Sequence, residues 1–102
     1  MKINKAQAEI FLSDVPENHR FYASTGEYFS NLEELQNGLK KLKKSDFCFH
    51  VNSEKNDFAN WVYDCIGDLE LAEKIRMSKS KSELSRKLRD RIEKLKKIAG
   101  RT

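Results

Sequence analysis

A chain of 102 residues fits one small domain and excludes two full-sized ones. Hydrophobic residues at 38%, among them six Phe, three Tyr and one Trp, suffice for one modest core, while 35% charged residues predict a folded, very soluble surface. The net charge of +4 combines an acidic stretch over residues 1–72 (eight Lys or Arg against twelve Asp or Glu) with a basic one over 73–102 (twelve against four), and every aromatic lies in the first.

In chain order, Ile3, Ala6, Ile10 and Phe11 recur at helical spacing until Ser13, Asp14 and Pro16 stop the run. Residues 21–29 set Phe21-Tyr22 and Tyr28-Phe29 around Gly26, which predicts a small β-hairpin with the glycine at positive φ. So short a hairpin is marginal alone and must lean one face on helices. Ser30 and Glu33 read as a capping box that opens a helix bearing Leu32, Leu35, Leu39 and Leu42. Lys40, Lys41, Lys43 and Lys44 are expected in its last turn, opposite the negative end of the helix dipole.

Residues 56–67 form the clearest helix, with Phe58, Trp61, Val62, Cys65 and Ile66 on one stripe, Asn56 or Asp57 as N-cap and Gly67 as left-handed terminator. Asp68 caps a further short helix with Leu69, Leu71 or Ala72, and Ile75. Ser80 and Glu83 make a second capping box, after which Leu84, Leu88, Ile92, Leu95 and Ile98 or Ala99 continue to Gly100. On this long basic amphipathic helix Arg86, Arg89, Glu93 and Lys97 point away from the leucine stripe, and Arg91 borders it with its stem along apolar surface. The expected fold is α+β, mostly α, with about five helices and one hairpin. Residues 1–78 form an acidic, aromatic-rich body, and the basic helix of 79–102 belongs to the same domain.

The run F-C-F-H-V-N (47–52), followed by N-D-F-A-N-W-V (56–62) and G-D-L-E-L-A (67–72), with Gly26 and N-L-E-E-L (31–35) upstream, resembles a prokaryotic, notably archaeal, domain family of unknown function. The hallmark of that family is H-V-N and then N-D-F-x-x-W-hydrophobic. The similarity covers about residues 20–76, implies a shared fold without an activity, and leaves the helix from Lys79 onward outside it.

Cys48 and Cys65, seventeen positions apart, fit neither C-x-x-C nor half of a zinc motif, and are expected as reduced, buried small hydrophobes with no metal. His50 and Asp57 could form an acid–base pair, but Asn52, Asn56 and Asp57 are residue types that cap helices and tie turns, and His50 stands beside Phe47, Phe49 and Val51. His50, Asn52, Asn56, Asp57 and Trp61 therefore read as a structural motif. Phosphate loops, G-x-S-x-G, H-E-x-x-H and EF-hand patterns are absent, so neither an enzyme nor a cofactor is expected. No apolar run nears the roughly 18 residues of a membrane span and no signal-peptide pattern opens the chain, so the expected location is cytoplasmic.

Two classes of function remain. In the first, Lys79, Arg86, Lys87, Arg89, Lys94, Lys97 and Arg101 contact the backbone of DNA or RNA without sequence specificity. That helix has no aromatic, so any base stacking must come from the body. In the second, Leu84, Leu88, Ile92 and Leu95 pack on a second copy of the chain or on an acidic protein partner, with no nucleic acid.

Overall fold

The computed structural model describes residues 2–101; Met1 and Thr102, the outer limits of the two expected segments, lie outside the described residues. Helix α1 (Lys5–Leu12) opens on a reciprocal capping box, in which Asn4 Oδ1 accepts the Gln7 N–H at 2.8 Å and Gln7 Oε1 accepts that of Asn4 at 3.1 Å. It buries Ala8 and Leu12, with Ile3 and Phe11 at the edge, and leaves Ile10 65% exposed. The apolar face is thus rotated from the expected Ile3, Ala6 and Ile10 line, because α1 presents Ala8 and Leu12, four residues apart, to the last helix.

A 3-10 turn (Glu17–His19) leads into β1 (Phe21–Tyr22), which pairs antiparallel with β2 (Tyr28–Phe29) in the register Phe21 to Phe29 and Tyr22 to Tyr28. Gly26 has φ +93° at the turn. Phe21 and Phe29 point inward and Tyr22 and Tyr28 outward, the alternation a strand imposes. Helix α2 (Leu32–Lys41) is capped by Asn31, one residue beyond the expected Ser30: Asn31 Oδ1 accepts the Glu34 N–H at 2.8 Å, and Glu34 Oε1 accepts the Ser30 N–H at 2.7 Å. The tip of the Phe29 ring lies against Gly38 of α2, where a Cβ would collide with the ring's Cζ and Cε1. A glycine inside a helix, weak by propensity, is what lets the hairpin dock.

Helix α2 ends at Lys41, so Lys40 and Lys41 occupy its last turn, whereas Lys43 and Lys44 start α3 (Lys44–His50). This helix raises the number among the described residues from the expected five or so to six. Its seven residues bury Phe47 and His50, too little for a periodic signal. Asn56, not Asp57, caps α4 (Asp57–Trp61): its Oδ1 accepts the Ala59 N–H at 3.0 Å, and its amide donates to the Ile75 carbonyl at 3.0 Å. The helix then widens into a π turn (Val62–Ile66) closed by Gly67 at φ +89°.

Asp68 caps α5 (Leu69–Arg76), accepting the Leu71 N–H at 3.1 Å. Ser80 caps α6 (Lys81–Ile98), whose 18 residues run about 27 Å. As at α2, the N3 carboxylate reaches one residue further back than in a reciprocal box: Glu83 accepts the N–H of Lys79 at 2.9 Å. That bond above all, with burial opposing and Lys87 adding, holds the Glu83 carboxyl below its ordinary pKa. Helix α6 packs against α1, α2 and α5, and its leucines join one continuous core with Phe21, Phe29, Phe58, Trp61 and the α2 leucines. The fold is α+β and mostly α. No helix among the described residues is long and apolar enough to cross a membrane.

Candidate nucleic-acid interface

The polar group around His50 is a joint between elements. The ring is buried against Phe21, Phe49 and Phe58, with centroids 5.1, 5.0 and 5.4 Å away. Nε2 accepts the Ser24 N–H at 3.0 Å, which leaves the proton on Nδ1 to donate to Asp57 Oδ2 at 2.9 Å. Lys55 Nζ donates to the same oxygen at 3.0 Å. Burial would raise the Asp57 pKa, but the hydrogen bonds from His50 and Lys55, with the Lys55 charge, outweigh it and leave the carboxyl below its ordinary value. Both ring nitrogens are engaged, so the pair ties the hairpin turn to the start of α4. Asn52 accepts the Glu54 N–H at 3.0 Å and shapes the turn between α3 and α4. Trp61 is buried, its indole N–H donating to the His19 carbonyl at 2.7 Å.

Three expectations require correction. Leu84, Leu88, Ile92 and Leu95 are buried inside the molecule against the body, so the stripe is not offered to a partner. An amphipathic stripe has to be covered, and Leu35 and Leu39 of α2, with Leu42 just past its end, share its core. Cys48 is exposed and Cys65 half-buried, because each sits at the margin of its helix's apolar face. Burial, with Asp64 adding, raises the Cys65 thiol pKa. Arg91 buries its charged head as well as its stem: Nε and Nη2 donate to Asp68 Oδ2 and Oδ1 at 2.7 and 2.9 Å, and Nη1 to Glu70 at 3.0 Å.

The seven basic residues expected at a nucleic-acid contact do not share one face. Arg86 and Lys97 lie on the outer side of α6 with Arg89, which contacts Asp90 at 3.5 Å. Lys87 meets Glu83, one turn earlier on α6, at 3.6 Å and turns toward α5 to donate to the Lys74 carbonyl at 3.3 Å. Lys94 shares a groove with Lys2 and Glu70, and Arg101, beyond the helix end, pairs with Glu9 of α1 at 2.9 Å. Lys79 is exposed just before the cap.

Lys79 instead belongs to a cluster made by tertiary packing. Helices α2 and α6 run antiparallel: Lys96 meets Glu33 at one end, and Lys81 Nζ donates to the Leu42 carbonyl at 2.8 Å at the other. The end of α2 and start of α3, with Lys40, Lys41, Lys43 and Lys44, therefore lie beside the start of α6, with Lys79 and Lys81. Lys44, Lys79 and Lys81 line one open groove with Cys48. Among the described residues none of these six lysines is ion-paired with a carboxylate. Two separate lysine-rich stretches are visible in the sequence; their meeting depends on how α2 and α6 pack.

The profile of an uncharacterised domain family, the family of unknown function DUF5752, matches residues 14–98, and the chain belongs to that family. The match extends past the expected 20–76 and takes in α6, so the basic helix lies within the family's bounds. No curated protein and no solved structure matches the chain.

Proposed function

With the chain a DUF5752 domain, we propose that it is a non-catalytic module that binds the nucleic-acid backbone without sequence specificity, through the lysine corner of α2, α3 and α6 and the adjoining outer face of α6. The observation that carries this reading is the meeting of two distant lysine-rich stretches of chain, Lys40 to Lys44 and Lys79 to Lys81, none of whose six lysines is ion-paired with a carboxylate among the described residues, with Arg86 and Arg89 following along α6. Lysines act on phosphate as flexible point charges and release condensed counterions on contact, which supplies affinity but no direct base readout. Burial of the leucine stripe disfavours a partner docking there.

Fluorescence anisotropy with labelled DNA and RNA of unrelated sequences, across a salt series, tests the reading. Replacing Lys43, Lys44 and Lys79 together with Gln leaves folding nearly unchanged, since all three are exposed. It makes the slope of log K against log salt shallower by about 2.7 on duplex DNA if each lysine contacts one phosphate. An unchanged slope, or wild-type binding weaker than about 10⁻⁴ M at physiological salt, would refute it.

A further inference from the structure

The outer face of the hairpin carries two large side chains that the core does not require. Tyr22 and Tyr28 are 58% and 52% exposed, with ring centroids 6.2 Å apart. The Tyr22 hydroxyl donates to the Glu17 carbonyl at 3.1 Å and so steadies its ring. The Arg20 guanidinium carbon lies 4.6 Å from the Tyr28 centroid, and Arg20 has neither an ion pair among the described residues nor a hydrogen-bond partner for Nε. Tyr28 shares an open groove with Asn37 and Lys41 of α2, so the Tyr28 side of the aromatic pair adjoins the lysine corner. Glu27 and Glu34 border that groove, each engaged internally: Glu34 accepts from the Ser30 N–H at 2.7 Å and Glu27 from the Thr25 hydroxyl at 3.3 Å.

We propose that Tyr22 and Tyr28 form a stacking platform for unpaired bases, so that the ligand of the lysine corner is a single strand, its bases on the tyrosines and its phosphates on Lys41, Lys43 and Lys44. The inference rests on the nucleic-acid reading and narrows it to one class of ligand. A duplex hides the faces of its bases in its own stack, whereas a single strand offers them to aromatic side chains beside a basic track. Arg20 over Tyr28 adds positive charge at the platform. The His50 contact to the Ser24 N–H, at 3.0 Å, holds the hairpin turn that presents both rings.

The test compares labelled oligothymidine, oligouridine and a DNA duplex, each titrated with the full chain and with two variants. Tyr22→Leu with Tyr28→Leu keeps apolar bulk on the outer face, and thermal melts establish that it is folded. It should lose at least about fivefold in affinity for the single strands for each base no longer stacked, with duplex affinity unchanged. Tyr28→Phe, which keeps the ring, should retain single-strand binding. The Lys43, Lys44 and Lys79 to Gln variant should weaken every nucleic acid that binds. The oligothymidine and oligouridine arms separate DNA from RNA as the preferred strand. Equal losses on duplex and single strand in the leucine variant, or none, would overturn the platform while leaving the lysine corner standing. If the wild-type chain binds none of the three in a salt-dependent way, the nucleic-acid reading fails and the platform fails with it.

Discussion

Arg91→Met removes the buried guanidinium while keeping an unbranched side chain to fill the space. The magnitude follows from the site. Two charge-assisted bonds to Asp68, at 2.7 and 2.9 Å, are lost between side chains that are 3% and 1% exposed. At about 1.5 to 3 kcal/mol each they set a scale of roughly 3 to 6 kcal/mol. Breaking a buried pair by removing one partner costs about 3 to 5 kcal/mol, because the other charge stays buried. The third contact, to Glu70, adds under about 1 kcal/mol, since that carboxylate is 49% exposed. We therefore expect a loss of about 3 to 5 kcal/mol, a large part of the roughly 5 to 15 kcal/mol that stabilises a natural domain. The melting temperature should fall by at least about 12 °C.

Urea melts followed by circular dichroism and Trp61 fluorescence measure this loss. Asp68→Asn, which keeps an oxygen for the Leu71 N–H, strands the arginine instead. The double variant should cost less than the sum of the singles by about 2 to 3 kcal/mol. A loss below about 1 kcal/mol for Arg91→Met at an unchanged denaturant slope, or additive singles, would refute the view that this ion pair locks α6 to the start of α5.

Trp61→Ala should cost about 3 to 5 kcal/mol, because it empties a buried site beside Phe21 and removes the bond to the His19 carbonyl; a urea-melt loss under about 1 kcal/mol would place the indole outside the core. Gly38→Ala gains about 1 kcal/mol of helix propensity but drives a methyl into the Phe29 ring, so we expect net destabilisation of up to about 2 kcal/mol in urea melts and weaker protection of hairpin amides from exchange. A stabilised variant would contradict the close packing. The Asp57 and Glu70 carboxyls are held below their ordinary values of 3.8 and 4.5, Glu70 chiefly by the Arg91 charge, and Asp57 by His50 and Lys55 against burial. A lowered folded-state pKa gives stability that is present above the ordinary value and lost as pH falls through the folded one, so the urea midpoint should drop on acidification below pH 4.5. Asp57→Asn should flatten part of that drop, and an equally steep fall in the variant would remove Asp57 from the account.

Local features of this fold are legible in the sequence. Gly26 and Gly67 mark positive-φ positions, and Asp68 and Ser80 cap the helices that follow them. The stripe from Phe58 to Ile66 and the leucines of α2 and α6 are buried as their spacing requires, apart from the half-exposed Cys65. Each of these depends on residues within about two helical turns, and neighbours that close act in any context. Residue type and apolar flanks likewise point to capping by Asn56 and burial of His50 and Trp61, and Asn56 caps α4 while both rings are buried.

Coverage is what only packing decided. A helical stripe demands burial without naming what buries it, so by sequence the α6 leucines suit a partner as well as the body, and the packing of α1, α2 and α5 around them decides for the body. The rotated face of α1 and the short α3 carried too few apolar residues to declare a direction. By sequence Arg91 reads as a snorkelling side chain, because Asp68, its acceptor, lies 23 residues away. The lysine corner depends on the antiparallel run of α2 and α6, fixed where Lys81 meets the Leu42 carbonyl across 39 residues. Charge adds no periodicity that could signal such a meeting: lysines remain solvated wherever the backbone carries them, and burial of apolar faces on the opposite sides of their helices brings them together.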